Sequence, residues 1–228
     1  SGILMPISRL PSRYGLGCFS KSAYEFVDQL KKAGQRYWQI LPLGPTSYGD
    51  SPYQSFSTFA GNPYFISLET LIEEGVLTEE ECEEVECGGS ESEVDYGRMY
   101  EVRFQLLRRA YERSSVYEEK EFADFCWMNG WWLEDYALFM AVKGRFEGRS
   151  WNEWADDIRL RLPNALDYYR KEQYYEIEFY KYIQYKFSQQ WMKLKRYAND
   201  NGISIIGDIP IYVAFDSADN WIDRKSVV

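Results

Sequence analysis

An apolar run from Gly2 to Ile7, an amphipathic segment closing at Gly34, and a second apolar run from Arg36 to Leu43 follow one another at the start of the chain. Ser20 or Ser22 can cap the middle segment. Tyr24, Phe26, Val27, Leu30 and Ala33 fall on its apolar side, and Gly34 supplies a helix stop. Strand, helix, strand at this spacing is a βαβ unit, because parallel strands need a crossover of a dozen or more residues. That implies a parallel sheet.

A third strand is expected much later. Ile203 to Ile209 is apolar, and its pattern predicts burial on both faces. Gly202 ends a long helix expected from about Lys171 to Asn199, with Tyr180, Ile183, Phe187, Trp191, Leu194 and Ala198 as its buried stripe. Between the second and third strands the pattern is largely helical. It runs helically from Tyr100 to about Phe146, where Leu133, Tyr136, Ala137, Met140 and Ala141 share one stripe. The Trp131–Trp132 pair is expected to anchor the start of that stripe, and Trp151 and Trp154 precede a break at Pro163. The fold class is therefore α/β: the N-terminal part of a TIM-type (β/α)8 barrel with a largely helical inserted subdomain. The barrel is incomplete, since a closed one needs eight strands and about 250 residues. Residues 1–64 are expected to hold the first strands and a substrate loop, 65–170 the inserted subdomain, and 171–228 the return helix, the third strand and a truncated end.

The second strand runs into a long loop, Gly44-Pro-Thr-Ser-Tyr-Gly-Asp-Ser-Pro-Tyr-Gln-Ser-Phe-Ser-Thr-Phe-Ala-Gly-Asn-Pro63. A loop of this length inside a compact domain points to function. Its rings suit the apolar face of a pyranose and its short polar groups suit sugar hydroxyls. The chain is rich in aromatics, with 20 Tyr, 13 Phe and 8 Trp. A large aromatic core and a carbohydrate groove both account for that.

The net charge of −10 is local, since residues 69–101 hold 13 acidic residues and one basic residue, Arg98. A nucleic-acid footprint would need a basic face, and none is visible. Histidine is absent, and the four cysteines (Cys18, Cys82, Cys87, Cys126) form no C-x-x-C pair, which argues against a zinc site. Sparse cysteines fit free thiols in a cytoplasmic protein. No signal peptide and no apolar run of membrane-spanning length is read.

Structural roles stand beside functional ones. Asp208 ends an apolar strand and could hydrogen-bond a neighbouring loop. Tyr53 could pack under its own loop, Asp50 could form a turn, and Asn62 could hold backbone geometry. The Tyr168–Tyr169 and Tyr174–Tyr175 pairs suit the core and rim of a helix bundle. Asp216 and Asp219 could serve a metal, but oxygen ligands alone are too common to argue from.

The loop 44–63 closely resembles a signature of the 4-α-glucanotransferases (amylomaltase, or disproportionating enzyme), within the α-amylase-like clan. A second block agrees, Ile206-Gly-Asp-Ile-Pro-Ile-Tyr-Val-Ala-Phe-Asp-Ser-Ala-Asp-Asn-Trp221. So does the opening Ile3-Leu-Met-Pro-Ile-Ser-Arg-Leu-Pro-Ser12 with Tyr14-Gly-Leu-Gly17. The resemblance implies transfer of glucan segments between α-1,4-glucans by a retaining double displacement between two carboxylates. It implies no cofactor and no metal. It puts the catalytic carboxylates on later barrel strands, so no catalytic residue is assigned here. Asp208 matches a carboxylate that contacts sugar at the cleavage subsite. Tyr53 matches a tyrosine stacking on that sugar, and Ser51 a hydroxyl in the same cleft. Tyr48 matches a tyrosine of a second glucan site in some members. Phe215 stands where the family often has histidine. The resemblance thus implies an N-terminal fragment that binds malto-oligosaccharides but is inactive alone, with no nucleic-acid or membrane partner and an undetermined oligomeric state. A non-catalytic glucan-binding module, or an inert scaffold of the same fold, is the alternative.

Overall fold

The computed structural model describes residues 1–46, 53–84, 96–210 and 213–223. In chain order the elements are β1 (Gly2–Leu4), α1 (Lys21–Lys32), β2 (Tyr37–Gln39), α2 (Leu68–Glu73), α3 (Glu79–Glu84), α4 (Tyr96–Arg113) and α5 (Lys120–Arg145). There follow α6 (Asp156–Arg159), α7 (Pro163–Glu172), α8 (Tyr174–Asp200), β3 (Ser204–Ile206) and α9 (Ala218–Ile222). The chain divides into two compact units, each assembled from separated stretches. Ser1–Leu43, Asn62–Val116 and Lys186–Ile209 form the first; Gly44–Gly61, Tyr117–Tyr185 and Pro210–Val228 form the second.

The first unit is built on a three-stranded parallel sheet in the order β1-β2-β3, with Ile3 opposite Trp38 and Trp38 opposite Ile205. Two helix-to-strand junctions are made alike. After α1, Gly34 takes φ +68°, its N–H donates to the Lys31 carbonyl, and the Gln35 N–H donates to the Leu30 carbonyl. After α8, Gly202 takes φ +76°, its N–H donates to the Asn199 carbonyl, and the Ile203 N–H donates to the Ala198 carbonyl. Both are Schellman ends, in which a left-handed residue satisfies the last helical carbonyls and turns the chain into the next strand. Ala23, Val27 and Leu30 of α1 are buried, and Phe26 meets Trp38 edge-on with centroids 5.0 Å apart. Phe19, Phe65, Phe187 and Trp191 form a second ring cluster. Two polar side chains stitch connections beneath it. Arg103 donates to the carbonyls of Tyr14, Tyr64 and Ile66, and the Gln190 amide pairs with both backbone groups of Ser67.

Strand β3 departs from expectation. Ser204 and Ile206 are exposed and Ile205 is half-buried. Side chains alternate across the sheet, so Trp38 is on the α1 side while Leu4, Tyr37 and Ile206 share the opposite face. Leu4 there is 54% exposed. Helices cover one face of the sheet, and the apolar run Ile-Ser-Ile-Ile carries residues for both.

In the second unit the stripe Leu133, Tyr136, Ala137, Met140, Ala141 is buried, and burial extends around α5 to Leu138, Phe139 and Val142. Phe139 packs against Trp154 and Trp221, and Phe146 stacks on Trp154. Trp221 of α9 is fully buried, donates its indole N–H to the Ile158 carbonyl, and carries the Arg161 guanidinium over its ring at 4.3 Å.

Three helix boundaries differ from the sequence-based expectation. The region from Tyr100 to Phe146 is two helices, α4 and α5, separated near Val116. The Trp131–Trp132 pair lies mid-helix, since α5 already begins at Lys120. The helix expected from Lys171 breaks at Gln173, whose ψ of 20° closes α7 before α8 starts at Tyr174. No glycine or proline marks that break. Pro163 opens α7 at its first turn, where its missing N–H costs nothing. No described helix is long and apolar enough to cross a membrane.

Candidate functional site

The long loop leaves β2, and Thr46 and Ser55 close its first part with an antiparallel bridge. Ser51, Tyr48 and Asp50 lie outside the described residues. Several loop hydroxyls serve the loop itself. The buried Ser55 hydroxyl donates to the Ser57 carbonyl at 2.6 Å, and the buried Ser57 hydroxyl accepts from the N–H groups of Phe59 and Ala60. Gly61 is gripped from both sides by the Gln184 amide, which accepts from its N–H at 2.7 Å and donates to its carbonyl at 2.9 Å. Asn62, in the first unit, accepts from the Tyr64 N–H at 3.0 Å, so it holds backbone geometry.

The end of the second quoted block closes on this loop within the same unit. An Asp219 carboxylate oxygen accepts from the Thr58 N–H at 2.8 Å and from the Thr58 hydroxyl at 3.3 Å. The Ala218 N–H donates to the Phe56 carbonyl at 2.8 Å. Ser217 caps α9 by accepting from the Asn220 N–H, and the Asn220 amide donates to the Ala214 carbonyl. Asp219 is therefore a clasp between the first turn of α9 and the loop. No group of three or more His, Cys, Asp or Glu able to hold a metal occurs among the described residues.

Behind the clasp lies a buried ion pair. The Lys143 ammonium on α5 donates to Asp216 and to the carbonyls of Gly148 and Arg149. Only 7% of the Lys143 side chain and 15% of Asp216 are exposed. Asp216 also accepts from the Trp151 N–H, while the Trp151 indole N–H donates to the Phe215 carbonyl at 2.8 Å and its ring stacks on Phe215. The Lys143 ammonium and the two Trp151 N–H groups thus hold the Asp216 carboxylate and the Phe215 carbonyl. A buried charge is tolerated when paired and hydrogen-bonded in this way.

Tyr53 lies at a turn of the loop with its ring 44% exposed. Asp208 lies two residues beyond β3, half-buried, with one oxygen accepting from the Ile209 N–H at 2.8 Å. That is the carboxyl end of a parallel strand, where open α/β sheets bind ligands. Tyr53 belongs to the second unit and Asp208 to the first. Cys18 and Cys82 are buried, and burial pushes the Cys126 thiol up to about 11.

Lys143 and Gln184 were not singled out from the sequence, yet the signal was present. Lys143 falls three residues after Met140, in register with the buried stripe of α5. Gln184 sits beside Ile183 on α8 and is itself buried. A lysine or glutamine on an apolar stripe needs partners, and both find them on loops.

A family profile described as 4-alpha-glucanotransferase matches residues 5–227. The 4-alpha-glucanotransferase of Streptococcus pneumoniae serotype 4 is 52% identical over 223 residues, which is 97% of this chain and 44% of that protein. The 4-alpha-glucanotransferase of Clostridium butyricum is 50% identical over 217 residues, 95% of this chain and 45% of that protein. Among solved structures, an amylomaltase from Streptococcus agalactiae in complex with acarbose superposes with a TM-score of 0.92 at 41% identity, covering 98% of this chain and 46% of that one. The chain thus spans somewhat under half the length of the relatives it matches. With the profile spanning nearly all of it, the chain belongs to the 4-alpha-glucanotransferase family.

Proposed function

We propose that this chain is the glucan-gripping, N-terminal part of a cytoplasmic 4-α-glucanotransferase that moves segments between malto-oligosaccharides with retention. Its parallel sheet forms the first staves of a (β/α)8 barrel. Residues 1–64 bring the first strands and the loop, 65–170 the helical insertion, and 171–228 the return helix and third strand. By the resemblance, Tyr53 offers a ring to sugar, Asp208 accepts from sugar hydroxyls, and Ser51 supplies a hydroxyl contact. Tyr48 serves a second glucan contact. The nucleophilic and proton-transferring carboxylates, which in a retaining pair stand about 5–5.5 Å apart, belong to the remainder of the family's architecture.

The observation that carries this reading is the clasp of Thr58 and Phe56 by Asp219 and Ala218. It ties together residues from the two blocks that mark the family. A loop held by a charged hydrogen bond from the Asp219 carboxylate is preorganised, which lowers the ordering cost of binding a flexible sugar.

Maltodextrin affinity of the chain, measured by calorimetry, tests the binding assignment. Tyr53→Ala is expected to weaken it by roughly tenfold, the equivalent of about 1.4 kcal/mol, and Asp208→Asn is expected to weaken it less. Absence of binding by the unaltered chain overturns the reading. Incubation with maltotriose is expected to leave it intact, and release of glucose with longer maltodextrins would show that the chain holds its own catalytic pair.

A further inference from the structure

The exposed aromatic surface of the second unit is not used by the loop site. On the first half of α5, Trp127 is 85% exposed and Trp131 is 68% exposed. They stand one turn apart, about 6 Å along the axis. Their neighbour Trp132 behaves differently: it is half-buried, donates to Asn129 and packs near Tyr136. The sequence thus places one indole of the pair in the interior and one in water. Phe59, itself half exposed, meets Trp131 edge-on with centroids 4.6 Å apart and planes at 72°. That contact fixes the Trp131 ring from the loop that carries Tyr53.

A second observation concerns the helix beneath. Gly130 lies mid-helix, where glycine costs about 0.8–1 kcal/mol against alanine. A Cβ built on it meets nothing within 4 Å, so packing does not require glycine there. Its missing side chain leaves bare helix surface three residues from Trp127 and beside Trp131. Asp124, one turn before Trp127, is exposed.

We propose that Phe59, Trp127 and Trp131 form an aromatic platform for an α-1,4-glucan chain, with Gly130 as the open floor between the rings. This rests on the glucan reading above and extends it from the signature loop, which lends Phe59, to two exposed rings of α5. A pyranose presents C–H groups on one face, and the negative faces of indole rings attract them. Rings on a rigid helix are already ordered, and the Asp124 carboxylate accepts from sugar hydroxyls. The Asp124 carboxylate beside the rings opposes an anionic partner or an anionic membrane.

The test uses the chain with β-cyclodextrin, a closed ring of α-1,4-linked glucose, in calorimetry. Trp127→Ala and Trp131→Ala are each expected to weaken binding at least about tenfold, and Trp131→Tyr to restore most of it. Circular dichroism is expected to be unchanged, because both side chains face water. Binding unchanged in the two alanine variants but lowered by Tyr53→Ala overturns the platform and leaves the cleft reading standing. No glucan binding by the unaltered chain overturns both. Alanine variants that alter only sedimentation, turning a self-associated chain into a monomer, overturn the platform by showing this face to be an interface between copies.

Discussion

At the two helix-to-strand junctions of the sheet unit, the connections are made by backbone: the Gly34 and Gly202 ends satisfy their own helix carbonyls and need no distant side chain. In the helical unit, the connections that matter are made by buried or half-buried polar side chains reaching across the chain. Lys143 holds residues 148, 149 and 216, Asp219 holds Thr58, and Gln184 holds Gly61. A backbone device depends on one residue and tolerates change around it. A buried polar device fails whenever either partner is lost, because the survivor is left without its hydrogen bonds. The supports of the loop are therefore more fragile to single substitution than the two glycine junctions.

The largest effect is expected at Lys143. Lys143→Met removes the cation and leaves Asp216 buried beside Trp151, which should cost about 3–5 kcal/mol. Urea unfolding followed by tryptophan fluorescence measures it, with Trp151, Trp154 and Trp221 as reporters in the same unit. Replacing both partners, as Lys143→Met with Asp216→Leu, should recover much of the loss, because an apolar pair of similar volume is often neutral. A single variant as stable as the parent would break the comparison, since the ion pair would then hold nothing.

A smaller effect is expected at the two glycines. Gly34→Ala and Gly202→Ala place a Cβ at φ +68° and +76°, with nothing within 4 Å of either, so only backbone strain opposes them. Each should cost about 1–2 kcal/mol, and the two values should agree, since the two ends share one hydrogen-bond pattern. A clear difference between them would mean that one junction has a support beyond its backbone.

The same contrast explains what could be read in advance. Gly34 and Gly202 ended their helices as expected, and the βαβ spacing gave the parallel pairing of β1 and β2, because both are local consequences of chain geometry. The break at Gln173 was not legible: no glycine or proline marks it. The exposure of Leu4 and Ile206 was not legible either, since an apolar residue on a strand does not reveal whether anything covers it. In the site, Asn62 and the loop's length could be read from turn chemistry. The roles of Ser55 and Ser57 could not, because a loop hydroxyl suits its own backbone as well as a sugar. Lys143 was readable in principle, as a charge in register with a buried stripe.

The smallest effect sharpens the comparison through salt and pH. In the sheet unit Glu81 accepts from Arg113 at 2.6 and 2.7 Å, and it forms a reciprocal cap with Thr78 at the start of α3. The Arg113 hydrogen bonds hold its carboxyl down to about 2, below the ordinary value of 4.5. A depressed carboxylate stabilises the fold fully above its ordinary value, and that contribution fades as pH falls through 4.5 towards 2. Glu81→Gln keeps the cap and removes the charge. The stability gap between parent and variant should be constant from neutral pH down to about 5, narrow below that, and close near pH 2. Arg113 is nearly half exposed, so this gap should also shrink in concentrated salt. The gap for Lys143→Met should hold in salt, because that pair is shielded from solvent. If both gaps respond to salt alike, the distinction between an exposed ion pair and a buried one is lost.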